Sequence, residues 1–140
     1  MTRVKKTGIK WHIGVDILGL PHVILLTTAD VTDRDGAVRM ISRYCDATDY
    51  LDLLQKIMAD GGYAGEKFAE TVKSVRGAEA EVAKRNELHT FVVLPKRRIA
   101  ERTFGRIDKC RRLWKNCERL LRNSLQMISL AFIRLLLARY

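Results

Sequence analysis

The sequence predicts an α/β fold in one domain, with strands and helices interleaved and the last third of the chain helical. Three observations lead there. Apolar and polar residues alternate with the period of a strand near the amino terminus, apolar residues recur with the period of a helix at four later places, and short apolar runs stand between the first of these helical stretches. With 140 residues, 47% of them hydrophobic, the chain can bury one modest core, and no linker is long enough to divide it.

Ile9, Trp11, Ile13 and Val15 alternate with Lys10, His12, Gly14 and Asp16, the pattern of a half-buried strand. The alternation puts His12 on the solvated side. Leu18-Gly19-Leu20-Pro21 reads as a turn, and the run from His22 to Thr28 reads as a strand buried on both faces, so the opening is a hairpin. A hairpin alone is marginal, and its sheet is expected to extend further. Thr32 or Asp33 then caps a helix whose inward face carries Val38 and Ile41. Its pattern stops around Asp46 to Asp49. Lys56 to Ala59 is a short strand that exits through Asp60 into Gly61-Gly62. From Ala64 or Gly65 to about Val75 a second helix turns Phe68, Val72 and Val75 inward and stops at Gly77. Tyr63, after the paired glycines, is expected to pack on its loop rather than touch a ligand. Ala78 to Arg85 and Thr90 to Leu94 are two more candidate strands.

After Pro95 the character changes. Residues 1–95 hold 13 Lys/Arg against 13 Asp/Glu, whereas residues 96–140 hold 13 against 3, so the whole net charge of +10 sits in the last third. In the stretch from Lys96 to Glu118, helical spacing collects Ile99, Thr103, Phe104, Ile107 and Cys110 on one stripe. Glu101, Arg97, Arg98, Arg102, Arg106 and Lys109 lie on the remainder, with Arg111 and Arg112 beyond. A terminal helix from about Cys117 to Arg139 follows, with Leu121, Leu125, Ile128, Phe132, Leu135 and Leu136 as a core stripe or a dimer contact.

Concentrated positive charge beside a carboxylate points to a polyanionic partner, and nucleic acid fits better than a membrane surface. The longest apolar tract, Leu125 to Leu137, is broken by Gln126, Ser129 and Arg134, and the amino terminus lacks the apolar core of a signal peptide. Cys45, Cys110 and Cys117 are odd in number and form no CxxC pair, which suits a reduced, cytoplasmic compartment. Histidines His12, His22 and His89 stand at no metal-ligand spacing to a cysteine. Of the acids, Asp60 at a strand exit and Glu101 on the basic helix are the pair that a metal-assisted phosphodiester site would use. A solvated helix with Glu101 neutralised by its neighbours is the alternative.

Several motifs in this order resemble bacterial insertion-sequence transposases of the DDE type, in particular the insertion-sequence-five-like group. They are GIKWHIGVDILGL at Gly8 to Leu20, TTADVTDRDGA at Thr27 to Ala37, ADGGYAG at Ala59 to Gly65 and ERTFGRIDKCRRLWKNCE at Glu101 to Glu118. The resemblance implies a truncated ribonuclease-H-like fold, a mixed sheet with flanking helices plus C-terminal helices. It divides one catalytic-domain fragment into a sheet-and-helix part at 8–94, which includes Asp60, and a basic part at 96–140. It implies that Asp60 and Glu101 are the second and third catalytic, metal-holding carboxylates, with Mg2+ or Mn2+ as cofactor. It also implies that Arg97 is the arginine four residues before the glutamate, and that Arg97, Arg98, Arg102, Arg106, Lys109, Arg111 and Arg112 contact double-stranded DNA at element ends and target.

The departures are as informative. The family's first catalytic aspartate lies upstream of the segment matching Gly8, and the seven residues before Gly8 contain no acid. Arg98 and Arg106 stand where tryptophan is usual, and Trp11 where arginine is usual, exchanges one base apart in TGG and CGG codons. A decaying copy accounts for this, as does an element whose upstream frame supplies the first strand. The expected function is DNA transposition by metal-dependent strand cleavage and transfer, with this chain inactive alone. The alternative is a non-catalytic DNA-binding or regulatory truncated product. A homo-oligomer or an upstream transposase fragment is the expected protein partner, and the bacterial cytoplasm, at the nucleoid, the expected location.

Overall fold

A computed structural model describes residues 8–47, 54–59, 63, 65–82, 97–110, 113 and 117–138. Their contacts fall into two compact units, one made of residues 1–29 with 94–140 and the other of 30–93.

The first unit begins with strands β1 (Ile9–Val15) and β2 (Pro21–Thr28). They pair antiparallel, with Trp11 opposite Leu26, Ile13 opposite Ile24 and an irregularity between Gly14 and Val15. Among the described residues this sheet has two strands. The third strand expected from the sequence does not appear there, and the candidate at Thr90 to Leu94 lies outside the described residues. Two helices of the same unit cover the hairpin instead. These are α3 (Arg97–Asp108) and α4 (Leu121–Leu137), and α3 packs on β1, α4 on β2, and each on the other. The core consists of Leu26, Ile107, Leu113, Ile128, Ala131 and Phe132, with Trp11, Ile13, Ile24 and Leu125 packed at its edge. Helix packing thus supplies what a third strand would have done for that face.

Leu25, Leu26 and Thr27 are consecutive and all buried, so β2 is covered on both faces, as its unbroken apolar run predicts. The same fact corrects the reading of His12. Only 4% exposed, its ring hydrogen-bonds through Nε2 to the Thr27 hydroxyl at 2.9 Å. Alternation shows that His12 and Trp11 face opposite ways; it cannot show that both sides are covered.

Helix α4 starts at Leu121, later than expected, and residues 117–120 are not helical. Its inward face is Ser124, Ile128, Ala131 and Phe132, so most of the predicted stripe is core, while Leu121 is 37% exposed. Leu130, Ile133 and Leu137 face outward.

The second unit contains α1 (Asp33–Ala47), β3 (Lys56–Ala59), α2 (Glu66–Arg76) and β4 (Glu79–Val82). Thr32 caps α1: its hydroxyl accepts from the Asp35 amide at 3.1 Å and donates to the Asp35 carboxylate at 2.7 Å. Asp33 and Asp35 lie in the first turn, at the positive end of the helix dipole. Strands β3 and β4 run parallel, joined through α2 as a βαβ unit. Phe68 and Val72 of α2 meet Ala37 and Ile41 of α1 in a core completed by Ala78, with Ile57, Ala59, Tyr63 and Ala80 around it. Val75 turns no describable side chain. Gly77 ends α2 in the left-handed region, φ 68°, and its amide donates to the Lys73 carbonyl at 2.8 Å. On the outer face of the sheet Lys56 pairs with Glu81 at 2.7 Å, which raises the lysine's pKa. The ring of Tyr63 lies 5.9 Å from that of Phe68, so it packs against α2.

Candidate functional site

Helix α3 forms because its apolar residues recur every three or four positions, and the same spacing sorts its charges to the other side. Thr103 and Ile107 are 2% and 0% exposed, Ile99, Phe104 and Cys110 are half-buried, and Arg98, Glu101, Arg102, Arg106 and Lys109 are exposed. The division matches the one read from the sequence. Arg98, Glu101, Arg102, Gly105, Arg106 and Lys109 together line one open concavity. They form two neighbouring ridges of i, i+4 spacing, Arg98–Arg102–Arg106 and Glu101–Gly105–Lys109, so a cation recurs along the first about every 6 Å.

The helix places these cations against its own electrostatic preference. No acid lies in the first turn of α3, which instead opens with Arg97 and Arg98, and cations there add to the positive end of the dipole at a cost of about 0.3–1 kcal/mol each. Gly105 is a second cost. It is interior to the helix, and a Cβ at that position would meet nothing within 4 Å, so alanine would fit and would favour the helix. Stability alone explains neither choice.

What holds α3 in place is the turn between β1 and β2. Thr103 donates its hydroxyl to the Gly19 carbonyl at 3.0 Å, in a buried hydrogen bond, and also lies 3.2 Å from the Ile99 carbonyl. Asp16 organises that turn, its Oδ1 accepting from the amides of Leu18 and Leu20 at 2.8 Å each, and His22 Nε2 stands 3.3 Å from its Oδ2. Burial pushes the Asp16 carboxyl up, but the Leu20 amide, His22 and the Leu18 amide outweigh it and hold the group below the usual carboxylate range. Asp16 is therefore a turn-former, in keeping with its place at the far end of the strand.

Of the predicted site residues, the structure brings Arg98, Glu101, Arg102, Arg106 and Lys109 to one surface. Asp60, Arg111, Arg112 and the side chain of Arg97 lie outside what is described. A smaller depression, lined by Ile17, Leu18, Gly19, Ile99, Arg102, Thr103 and Arg106, adjoins the cationic surface. Its apolar members were not legible as surface residues, because a turn signal says where the chain reverses and not what its tip exposes.

The family model described as "Transposase DDE domain" matches residues 2–136. The chain belongs to that family. No curated protein and no solved structure matches it. Membership in the DDE transposase family accords with the mixed α/β architecture of small sheets and four helices and associates the chain with DNA transposition and DNA binding. Among the described residues no helix is long and apolar enough to cross a membrane. The family typically uses a divalent metal. Glu101 offers the hard oxygen donor such an ion prefers, and Mg2+ is commonly held by one or two carboxylates with waters and phosphate oxygens completing its shell; no group of three His, Cys, Asp or Glu stands together among the described residues. The described donors alone do not make a metal site.

Proposed function

We propose that this DDE transposase chain grips duplex DNA by the backbone through the exposed face of α3, as part of a ribonuclease-H-like catalytic domain. The observation that carries the reading is the ridge Arg98–Arg102–Arg106 with Lys109 beside it, all exposed on one surface. Each strand of a duplex carries one phosphate per about 3.4 Å of duplex axis, so cations that recur about every 6 Å along α3 can meet successive phosphates of one strand. Such contacts position DNA without reading its sequence. Arg97, Arg111 and Arg112 extend the same cationic stretch.

Within this reading Asp60 and Glu101 are the second and third carboxylates of the DDE set, and a divalent ion held by carboxylates of that set would activate the attacking oxygen and neutralise charge on phosphorus. Glu101 suits that role because it interrupts a phosphate-binding surface. The insertion-sequence-five-like group is the branch that the motifs support best. These 140 residues carry no candidate for the first carboxylate before Gly8. By themselves they are expected to bind DNA without cutting it.

The test is duplex binding and nicking by the purified chain, with and without Mg2+ or Mn2+, for wild type, Asp60→Ala and Glu101→Ala. Salt-sensitive, sequence-tolerant binding without nicking is the expected result, with metal-dependent tightening lost in both variants. Nicking or joining abolished by either substitution would show the chain to be complete. Salt-sensitive binding indifferent to metal and to both acids would instead favour the purely DNA-binding, regulatory product.

A further inference from the structure

We propose that the tip of the β1–β2 turn, Ile17 with Leu18, is an apolar wedge that enters a groove of duplex DNA and pries at a base step; the proposal rests on α3 being the DNA-holding face. Ile17 is 83% exposed and Leu18 65%. Single exposed aliphatic residues are ordinary. What distinguishes this pair is its support and its neighbours.

The support is rigid. Besides the two amides held by Asp16, the Asp16 amide donates to the Leu20 carbonyl and the Gly19 amide to the Asp16 carbonyl, both at 3.0 Å. Gly19 adopts φ 76°, a left-handed conformation that favours glycine, and a Cβ there would just touch Ile99 Cγ2 and Thr103 Oγ1 at 3.4 Å each. Its carbonyl is fastened by Thr103. The base of the turn is thus bolted to the helix while its two aliphatic side chains stand in water, already ordered before any partner arrives.

The neighbours supply the chemistry. Arg102 and Arg106 line both the cationic concavity and the small depression that includes Ile17 and Leu18. Apolar tips flanked by guanidinium groups match the layering of a duplex, anionic outside and apolar between its stacked bases. Isoleucine and leucine are among the side chains that open base steps in this way. A protein partner would match the tip but leave the adjoining cations without complement, and for that reason the occupant is assigned as DNA.

The experiment uses the full chain and a short duplex carrying a fluorescent adenine analogue that brightens when unstacked. Wild type is expected to brighten it. A double variant, Ile17→Ser with Leu18→Ser, should lose the signal and bind about tenfold more weakly, with the salt dependence of binding unchanged because the phosphate contacts persist. A thermal melt equal to wild type shows that the turn remains folded. If wild type binds in a salt-dependent way but never brightens the probe, and the double variant binds equally well, the wedge is wrong while the α3 reading stands. If wild type does not bind duplex, or Arg102→Gln with Arg106→Gln leaves the salt dependence untouched, the α3 reading fails and the wedge with it. A double variant that changes sedimentation and not the fluorescence would make the tip a contact between copies, which also overturns the proposal.

Discussion

Neutralising Arg102 and Arg106 should halve the contribution of the cationic concavity to the salt dependence of DNA binding. Four exposed cations, Arg98, Arg102, Arg106 and Lys109, line the concavity. Each phosphate neutralised contributes about −0.9 to the slope of log K against log salt, so four give about −3.6, or roughly a 150-fold loss of affinity between about 50 and about 200 mM salt. With both arginines replaced by glutamine this contribution to the slope becomes about −1.8 and its share of the loss over the same range roughly 12-fold. Fluorescence anisotropy of a labelled duplex, titrated at several salt concentrations, reads both numbers. Glutamine keeps length and polarity, so a change in slope reports charge. Measuring the slope removes any confusion with a partly unfolded preparation, which would lower the active fraction at every salt concentration alike. An unaltered slope in the double variant, accompanied by an unaltered affinity, would refute the reasoning outright, since the cations on this ridge would then not be meeting phosphates.

Three further perturbations test the frame that holds the ridge. Thr103→Val should lower stability by about 1–3 kcal/mol, because the buried Gly19 carbonyl loses its donor; urea unfolding measures it, with Thr103→Ser expected to restore most of the loss. Gly105→Ala should raise stability by about 0.4–1 kcal/mol, since the position is helical and open, and a thermal melt that fell instead would mean the site is more crowded than described. Asp16→Asn should cost about 1 kcal/mol near neutral pH by weakening the turn. The sign of its pH dependence follows from a carboxyl held below its ordinary range: the stabilisation is complete above the unfolded value and drains away as pH falls through the folded one. Wild type and variant should therefore converge in acid, and urea midpoints that stayed equally far apart as pH falls would contradict it.

Local signals made much of this structure legible. Helix α2 announces itself through Phe68, Val72 and the terminating Gly77, because helical spacing and a left-handed stop act over a few residues. Helix α3 was equally readable, and with it the cationic face around Glu101, since one periodicity decides both what is buried and what is presented. Long-range facts were not readable. Alternation along β1 could not reveal that His12 is enclosed, as that depends on what lies across the second face. Nor could it show that α3 and α4, remote in sequence, cover the hairpin where another strand was expected. Helix α4 starts at Leu121, where its apolar stripe begins, four residues later than the expected start at Cys117. In the candidate site, the exposure of Ile17 and Leu18 escaped notice for a related reason: it is set by how the turn seats on Thr103, a contact that spans most of the chain.

The first unit is assembled from both ends of the polypeptide, with the second occupying the middle. On the ribosome this order has a cost in time. Trp11, Ile13, Ile24 and Leu26 emerge before residues 30–93, yet Ile128 and Phe132, which share their core, follow only after them. At about 5–20 residues per second the nascent hairpin waits several seconds with its apolar side uncovered, while residues 30–93 form a unit that is contiguous in sequence. Chaperone dependence during synthesis should accordingly be concentrated in the amino-terminal hairpin and end when the final helix clears the exit tunnel.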